Sequence, residues 1–280
     1  MRTCSDRRSM GSSSSKPIEI SNKIALKGIP PSFDLVAGES WSRPVFFIAA
    51  PGSPARYAIS MPEGWGGNTV LHPKPSIRGS PMVYAKRRHG KFRIYLPGVL
   101  SVGIMPCSAT MRYETTTTTT TTEKYCFELM VHHGNTYRNE MFEWQYFEKQ
   151  GSKGAGAAGS GWQLVRLGPK IKRHVLPPYP GRAPHSQDQA APPAYRKEVP
   201  SRRGVTVRTN SKSASGLPSD AEIVAVLSQG SSHDRSRACK FQYMEGGTTE
   251  EMGYHWTLMA AMSGICLWQH QTAKAHYGAP

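Results

Sequence analysis

The sequence predicts a mainly β protein, a closed antiparallel barrel built around one buried hydrophobic helix near its C-terminus. Three observations lead to this fold. Ten short apolar runs of strand length follow one another between turn residues, and a single segment, Trp256 to Trp268, competes as a helix. That segment is uncharged and apolar on all sides, so it must be buried on all sides. In an otherwise all-β chain, the inside of a closed barrel is the natural place for such a helix.

The strand predictions rest on alternation of apolar and polar residues and on Gly/Pro punctuation. In residues 91–96, for example, Phe92, Ile94 and Leu96 share one face and the charged residues share the other. The ten candidates are VFFIAA (45–50), RYAISM (56–61), NTVLH (68–72), PMVYA (81–85), KFRIYL (91–96), YCFELMV (125–131), EMFEWQYF (140–147), WQLVRL (162–167), EIVAVL (222–227) and CKFQYM (239–244).

Both sides of the predicted helix are expected to be buried. Bulky side chains gather on one side and small ones, including Gly264, on the other, which permits close approach of a neighbour. As a helix, Trp256 to Trp268 spans about 20 Å and is too short for the ~30 Å hydrocarbon layer, so no transmembrane segment is predicted. The predicted core residues are Trp256, Leu258, Met259, Met262, Gly264, Ile265, Leu267 and Trp268.

Composition divides the chain into a barrel and several segments without a core. Residues 1–43 are predicted to be a flexible N-terminal segment, 44–272 the barrel and 273–280 a tail. Two interruptions are predicted to be disordered: the loop 99–124, with eight consecutive threonines, and the basic, proline-rich insertion 168–220. Neither contains enough apolar surface to offset an ordering entropy of roughly 1–2 kcal/mol per residue.

The charge and the cysteines point to a basic protein with free thiols. Of the net charge of +16, residues 151–220 contribute 12 Lys/Arg against 3 Asp/Glu, which is typical of a basic linker. The five cysteines are odd in number and widely spaced, so no disulfide framework is indicated. The N-terminus lacks the apolar run of a secretory signal. A cytoplasmic location is the expectation, with peripheral membrane association or the nucleus left open.

No assembled catalytic motif is visible. Residues 154–159, GAGAAG, match a dinucleotide-binding pattern, but a strand candidate rather than a helix follows them, so a hairpin loop is the better interpretation. Cys266 and His270 are four residues apart on the helix, and no third ligand is suggested nearby. We therefore predict no enzyme activity, no catalytic residues, no cofactor and no metal.

One basic hairpin is the candidate binding site. Residues 86–91, KRRHGK, join two strand candidates and concentrate positive charge where phosphates could be attracted. The alternative interpretation is a solvated turn whose charge maintains solubility. The predicted anion- or lipid-binding residues are Lys86, Arg87, Arg88, Lys91 and Arg93.

Several motifs in their order resemble the tubby C-terminal-like superfamily, which includes tubby proteins, LURP-one-related proteins and phospholipid scramblases. The likeness is closest to a fungal set within that group and covers about 44–100, 124–168 and 220–272. It implies a twelve-stranded barrel threaded by its C-terminal helix, with one or two strands still to be found in the N-terminal segment or near 99–112. The residues that carry it are TVLH (69–72), SIRGSPMVYA (76–85), FEW (142–144), GWQLVRL (161–167), EIVAVL (222–227) and WTLMAAMSGICLWQ (256–269).

Together these features predict a non-enzymatic, tubby-like binding or scaffold protein that contacts anionic, phosphoinositide-type lipids through the hairpin. Tubby proteins bind such head groups through basic side chains, but those positions have no match in this chain. A nucleic-acid-binding protein using the basic segment 166–212 is the alternative, although its aromatic residues are sparse. An enzyme of another class ranks third. The oligomeric state is left open.

Overall fold

The structure is a computed structural model that describes residues 17–38, 43–117, 121–133, 136–147, 160–169, 221–229, 237–244, 247 and 252–277. The described α-helices are α1 (Asn22–Ala25) and α2 (Tyr254–Tyr277), and a short 3-10 helix spans Leu100–Val102. The strands are β1 (Ser32–Ala37), β2 (Val45–Ala49), β3 (Ala55–Ser60), β4 (Thr69–His72), β5 (Val83–Arg88), β6 (Lys91–Leu96), β7 (Cys107–Thr117), β8 (Thr121–His133), β9 (Thr136–Phe147), β10 (Gly161–Pro169), β11 (Glu222–Gln229) and β12 (Arg237–Tyr243).

The strands form a closed barrel in which each strand pairs with its neighbours in sequence and β1 closes the circle against β12. All the pairings are antiparallel, and the closing pair runs from Ser32 opposite Gln242 to Val36 opposite Arg237. Closure leaves no free sheet edge, which removes the usual template for aggregation. The predicted fold class, a mainly β closed antiparallel barrel around a hydrophobic C-terminal helix, is confirmed.

Helix α2 fills the barrel. Its stretch from Trp256 to Gln269 is buried throughout, including all eight residues predicted for its core. Polar groups on this buried stretch find partners on the wall: the Trp144 Nε1–H donates to Ser263 Oγ at 3.0 Å, and the Tyr243 hydroxyl donates to the Thr257 carbonyl at 2.5 Å. Pairing of buried polar groups avoids a desolvation penalty of about 1–3 kcal/mol for each.

Two strands were missing from the sequence prediction, and both lie where they were sought. β1 places Phe33 and Leu35 in the core, so the interpretation of residues 1–43 as a flexible segment is wrong for this part. β7 and β8 contain most of the threonine run, with Thr116 opposite Thr122, so disorder across 99–124 is also wrong. Threonine is β-branched and fits a pleated, half-buried surface, which favours pairing over disorder here.

The remaining boundaries differ less. Helix α2 extends to Tyr277, inside the predicted tail, and β10 includes Gly168 and Pro169 at the start of the predicted insertion. The loop 154–159 and the insertion from 170 to 220 lie outside the described residues. No helix in the described ranges is long and apolar enough to cross a membrane.

Candidate functional site

The basic hairpin consists of β5 and β6 joined by the two residues His89 and Gly90. Both have positive φ angles, 45° and 71°, as a type I′ turn requires. This turn type matches the right-handed twist of the strands and keeps them in close register. Arg88 and Lys91 therefore face each other directly beside the turn.

Alternation along these strands separates their side chains into two sets. Val83, Ala85, Phe92, Ile94 and Leu96 enter the core. The alternate positions face outwards, where Arg88, Lys91 and Arg93 are exposed and Lys86 is half-buried. Four of the five predicted basic residues thus share one outer surface.

A further arginine, which the sequence analysis missed, belongs to the same surface. Arg112 on β7 is exposed and lies directly opposite Lys91. The buried neighbours Ala109 and Met111 give β7 the alternation that could have placed Arg112 outwards. We name the five side chains Lys86, Arg88, Lys91, Arg93 and Arg112 the outer basic patch.

Like charges are opposed three times within the outer basic patch. The opposed pairs are Lys86 with Arg93, Arg88 with Lys91 and Lys91 with Arg112. Like charges at directly opposite positions destabilise a sheet. Among the described residues, none of these five side chains forms an ion pair with a carboxylate. Folding therefore leaves concentrated positive charge that an external anion can neutralise.

The patch continues into an aromatic surface. The Tyr84 and Tyr95 rings lie beyond it along the hairpin, 6.0 Å apart between centroids. The Arg93 guanidinium lies 5.4 Å from the Tyr95 ring centroid and donates a hydrogen bond to Ser108 Oγ at 3.4 Å. These contacts restrict Arg93 and connect the patch to a cavity of 620 Å³ that Lys86, Tyr84 and Tyr95 help to line.

Arg87, the fifth predicted residue, lies on the opposite face of the hairpin and does not join the patch. Its Nη2–H donates to His270 Nδ1 at 2.9 Å, and its guanidinium lies 5.7 Å from the Phe92 ring centroid. Because arginine can only donate, His270 accepts at Nδ1 and carries its proton on Nε2 when neutral. Arg87 thus connects the hairpin to helix α2 inside the barrel mouth.

His270 lies in an aromatic setting at that mouth. Its ring is 6.4 Å from Phe92 and 5.9 Å from Tyr125 between centroids. Burial lowers the pKa of His270, and the charge of Arg87 lowers this pKa further. The imidazole is therefore neutral at neutral pH. It serves the packing of α2, and the described residues contain no group of three side chains that could hold a metal with it or with Cys266.

Beyond His270, polar contacts hold the last turns of α2. Gln271 Nε2–H donates to Glu123 Oε2 at 3.2 Å and to the Tyr125 hydroxyl at 3.1 Å, while Lys274 Nζ donates to Glu123 Oε1. Burial would raise the pKa of Glu123, but the hydrogen bonds from Lys274 and Gln271 outweigh it and the pKa is lowered. In this cluster the positive charge of Lys274 is paired with the Glu123 carboxylate, whereas the outer basic patch has no such carboxylate among the described residues.

Fold and site together define a closed β-barrel protein with a helix in its lumen and a cationic outer face. No protein-family model, no curated protein and no solved structure matches the chain. The chemistry of the outer basic patch is therefore the basis for a function.

Proposed function

We propose that the protein is a non-enzymatic binding or scaffold protein that docks on anionic lipid surfaces through the outer basic patch. The observation that carries the proposal is the set of three directly opposed like-charge pairs on one rigid sheet surface. The twelve-stranded barrel with its internal C-terminal helix supports the proposed place in the tubby C-terminal-like superfamily.

The patch is well suited to a phosphate-rich surface. Its side chains project from neighbouring strands about 4.8 Å apart, so several can meet head-group phosphates at once. Each basic residue near an anionic bilayer contributes roughly 1 kcal/mol, and this attraction falls off within a Debye length. Docking should therefore be reversible and sensitive to salt.

The test measures binding of the full chain to phosphatidylserine vesicles by co-sedimentation. The patch variant carries Arg88→Glu, Lys91→Glu and Arg112→Glu. The matched control carries Lys74→Glu, Arg78→Glu and Lys27→Glu, which change the net charge equally at exposed positions outside the sheet. Loss of three contacts at roughly 1 kcal/mol each predicts at least about a hundredfold weaker partitioning of the patch variant than of the control.

Both variants retain the basic segment between β10 and β11. Its attraction to vesicles is therefore the same in both and does not affect the comparison. Equal weakening of the two variants would mean that net charge alone drives association, and the proposal would fail. A parallel experiment measures binding of both variants to a polynucleotide. Equal weakening of the two variants, together with much tighter binding to the polynucleotide than to vesicles, would favour the nucleic-acid alternative. A patch that recognises lipid should also separate phosphoinositides from phosphatidylserine at equal vesicle charge.

A further inference from the structure

A cysteine and a histidine meet at the end of the barrel where α2 begins. Cys107 is the first residue of β7, and His255 is the second residue of α2. The Cys107 Sγ lies 3.4 Å from His255 Nδ1, and His255 Nε2 lies 2.7 Å from the Pro97 carbonyl oxygen. Neither residue contributes to the outer basic patch.

The Pro97 carbonyl fixes which group donates in each of the two hydrogen bonds of His255. A carbonyl oxygen can only accept, so His255 must donate from Nε2. In a neutral imidazole this leaves an unprotonated Nδ1, which accepts from the thiol of Cys107. Burial lowers the pKa of His255. Partial burial raises the pKa of the Cys107 thiol, although the residue keeps an exposed side, so both groups are neutral at neutral pH. The arrangement is a thiol beside a correctly oriented base, with a third group that fixes the base.

The position of the pair favours a developing negative charge on sulfur. His255 belongs to the first turn of α2, where the helix dipole places partial positive charge. Such charge stabilises a thiolate. Cys107 itself is exposed among the described residues, so a reagent can reach it.

Cys107 also lines the cavity of 620 Å³ beside the hairpin. This volume lies within the range of about 300–1,000 Å³ that is typical of small-molecule sites. The lining includes the apolar residues Ile18, Leu96 and Pro106. Lys86 adds a positive charge to the lining. The cavity thus brings apolar residues, a nucleophile and a cation into one lining.

We propose that Cys107 is an S-acylation site that accepts a fatty acyl group from a long-chain acyl-coenzyme A, with His255 as the base and the acyl chain in the adjoining cavity. The apolar residues of the cavity can contact the acyl chain, and the thiol can exchange with a thioester. The Lys86 ammonium can pair with the phosphates of the departing coenzyme A. This inference rests on the Cys107–His255 pair and the cavity, and it stands independently of vesicle docking.

The transfer balances without an oxidant or reductant. Cys107 Sγ attacks the thioester carbonyl carbon while its proton moves to His255 Nδ1. The new S–C bond forms and the carbonyl electron pair moves to oxygen. When the tetrahedral intermediate collapses, the bond to the coenzyme A sulfur breaks, and His255 Nδ1–H returns the proton to the departing thiolate. The Pro97 carbonyl accepts from Nε2–H throughout and stabilises the imidazolium.

The test incubates the full chain with palmitoyl-coenzyme A at neutral pH and follows the intact mass, with release by hydroxylamine as the signature of a thioester. We expect one acyl group at Cys107, none there in Cys107→Ala and an unchanged rate in Cys126→Ala. His255→Gln retains a donor for the Pro97 carbonyl but removes the base, and it should slow transfer at least about a hundredfold. Thermal melting checks that each variant folds.

A cavity-filling variant separates chain binding from thiol reactivity. Ser108 lines the same cavity, so Ser108→Trp should slow palmitoyl transfer while leaving alkylation of Cys107 by iodoacetamide unchanged. The proposal is overturned if acylation occurs on another cysteine, if His255→Gln reacts as fast as the wild type, or if Ser108→Trp leaves palmitoyl transfer unaffected. The variant with Arg88→Glu, Lys91→Glu and Arg112→Glu should acylate normally, because those residues do not line the cavity.

Discussion

Gly264 shows at the residue scale how closely α2 fits the barrel wall. A Cβ atom built there would lie 3.1 Å from Phe241 and 3.2 Å from Trp144, closer than ordinary van der Waals contact. The position is buried, so no side chain can swing into solvent. The small residue is therefore required by packing, although glycine in a helix interior costs about 1 kcal/mol relative to alanine.

Enlarging Gly264 should destabilise the barrel. Gly264→Leu forces several extra carbons between α2 and the wall, for which overpacking typically costs about 1–3 kcal/mol. Gly264→Ala should be far milder, because its gain in helix propensity opposes a contact that needs only a small shift. The measurement is the free energy of unfolding in denaturant, followed by tryptophan fluorescence.

The control makes the same enlargement where there is room. Ala275→Leu lies on the exposed side of α2 and should change the free energy of unfolding by less than about 0.5 kcal/mol. If Gly264→Leu were as mild as Ala275→Leu, then α2 would not be threaded tightly through the barrel.

At the scale of elements, the barrel depends on α2 for its interior. The inward residues of opposite strands meet the helix rather than one another, as the Trp144–Ser263 hydrogen bond and the Phe142–Trp256 ring contact at 4.4 Å show. A twelve-stranded barrel is too wide for side chains alone to fill its lumen. The helix is thus the central part of a single core.

Removing α2 should abolish folding. A chain that ends at Gly253 would expose the whole inner face of the barrel, so we expect an insoluble product or one without a cooperative thermal transition. A chain that ends at Tyr277 keeps every described core residue of α2, the last of which is Ala273, and should melt like the intact protein. A soluble, cooperatively melting chain without α2 would contradict the fold.

The elements differ in how far their sequence predicts them. The ten predicted strands are short apolar runs bounded by turn residues, and the structure places a strand at each. β1 was missed because the serine run at 12–15 and the proline pair at 30–31 suggested a flexible segment, although Phe33, Asp34 and Leu35 alternate between apolar and polar as in a strand. β7 was missed because repeated threonines suggested low complexity, whereas their shape favours pairing.

The same limits apply to the candidate sites. Alternation already implied that Arg87, two residues from the buried Ala85, would lie opposite the outer basic patch. Arg112 could not be added without β7. The Cys107–His255 contact joins residues 148 positions apart and carries no local signal, so only the closed barrel brings the pair together.

At the scale of the whole molecule, buried histidines couple stability to pH. Burial lowers the pKa values of His72, His255 and His270 below the ordinary value of 6.5. The unfolded chain therefore takes up protons at these sites before the folded protein does. Their contribution to stability is fully present above pH 6.5 and is lost as pH falls from 6.5 towards the lowered values.

The acidic residues act in a separate, lower pH range. Glu140, which is fully buried, lies between Arg138 and Arg166, and hydrogen bonds from the two arginines outweigh its burial and lower its pKa below the ordinary value of 4.5. The pKa of Glu123 is lowered by its contacts with Lys274 and Gln271. Stability from these carboxylates is present above pH 4.5 and is lost only below it. Between pH 6.5 and 4.5, the histidines should dominate the change.

Stability should therefore decline between pH 7 and pH 5, with a slope that His270 helps to set. Each histidine contributes at most about 1.4 kcal/mol per pH unit, since it accounts for at most one proton of difference between the folded and unfolded states. His270→Gln keeps an acceptor for Arg87 but cannot be protonated, so it should flatten the dependence measured from denaturant midpoints. His89→Asn removes an exposed histidine at a turn position with positive φ that asparagine tolerates, and it should leave the slope unchanged.

Protonation also adds positive charge to a chain that already carries +16, and the added repulsion also lowers stability as the pH falls. Added salt screens that repulsion and would abolish the decline if net charge were its cause. A decline that persists in salt and is reduced by His270→Gln assigns that part of it to the burial of His270 beside Arg87 at the barrel mouth.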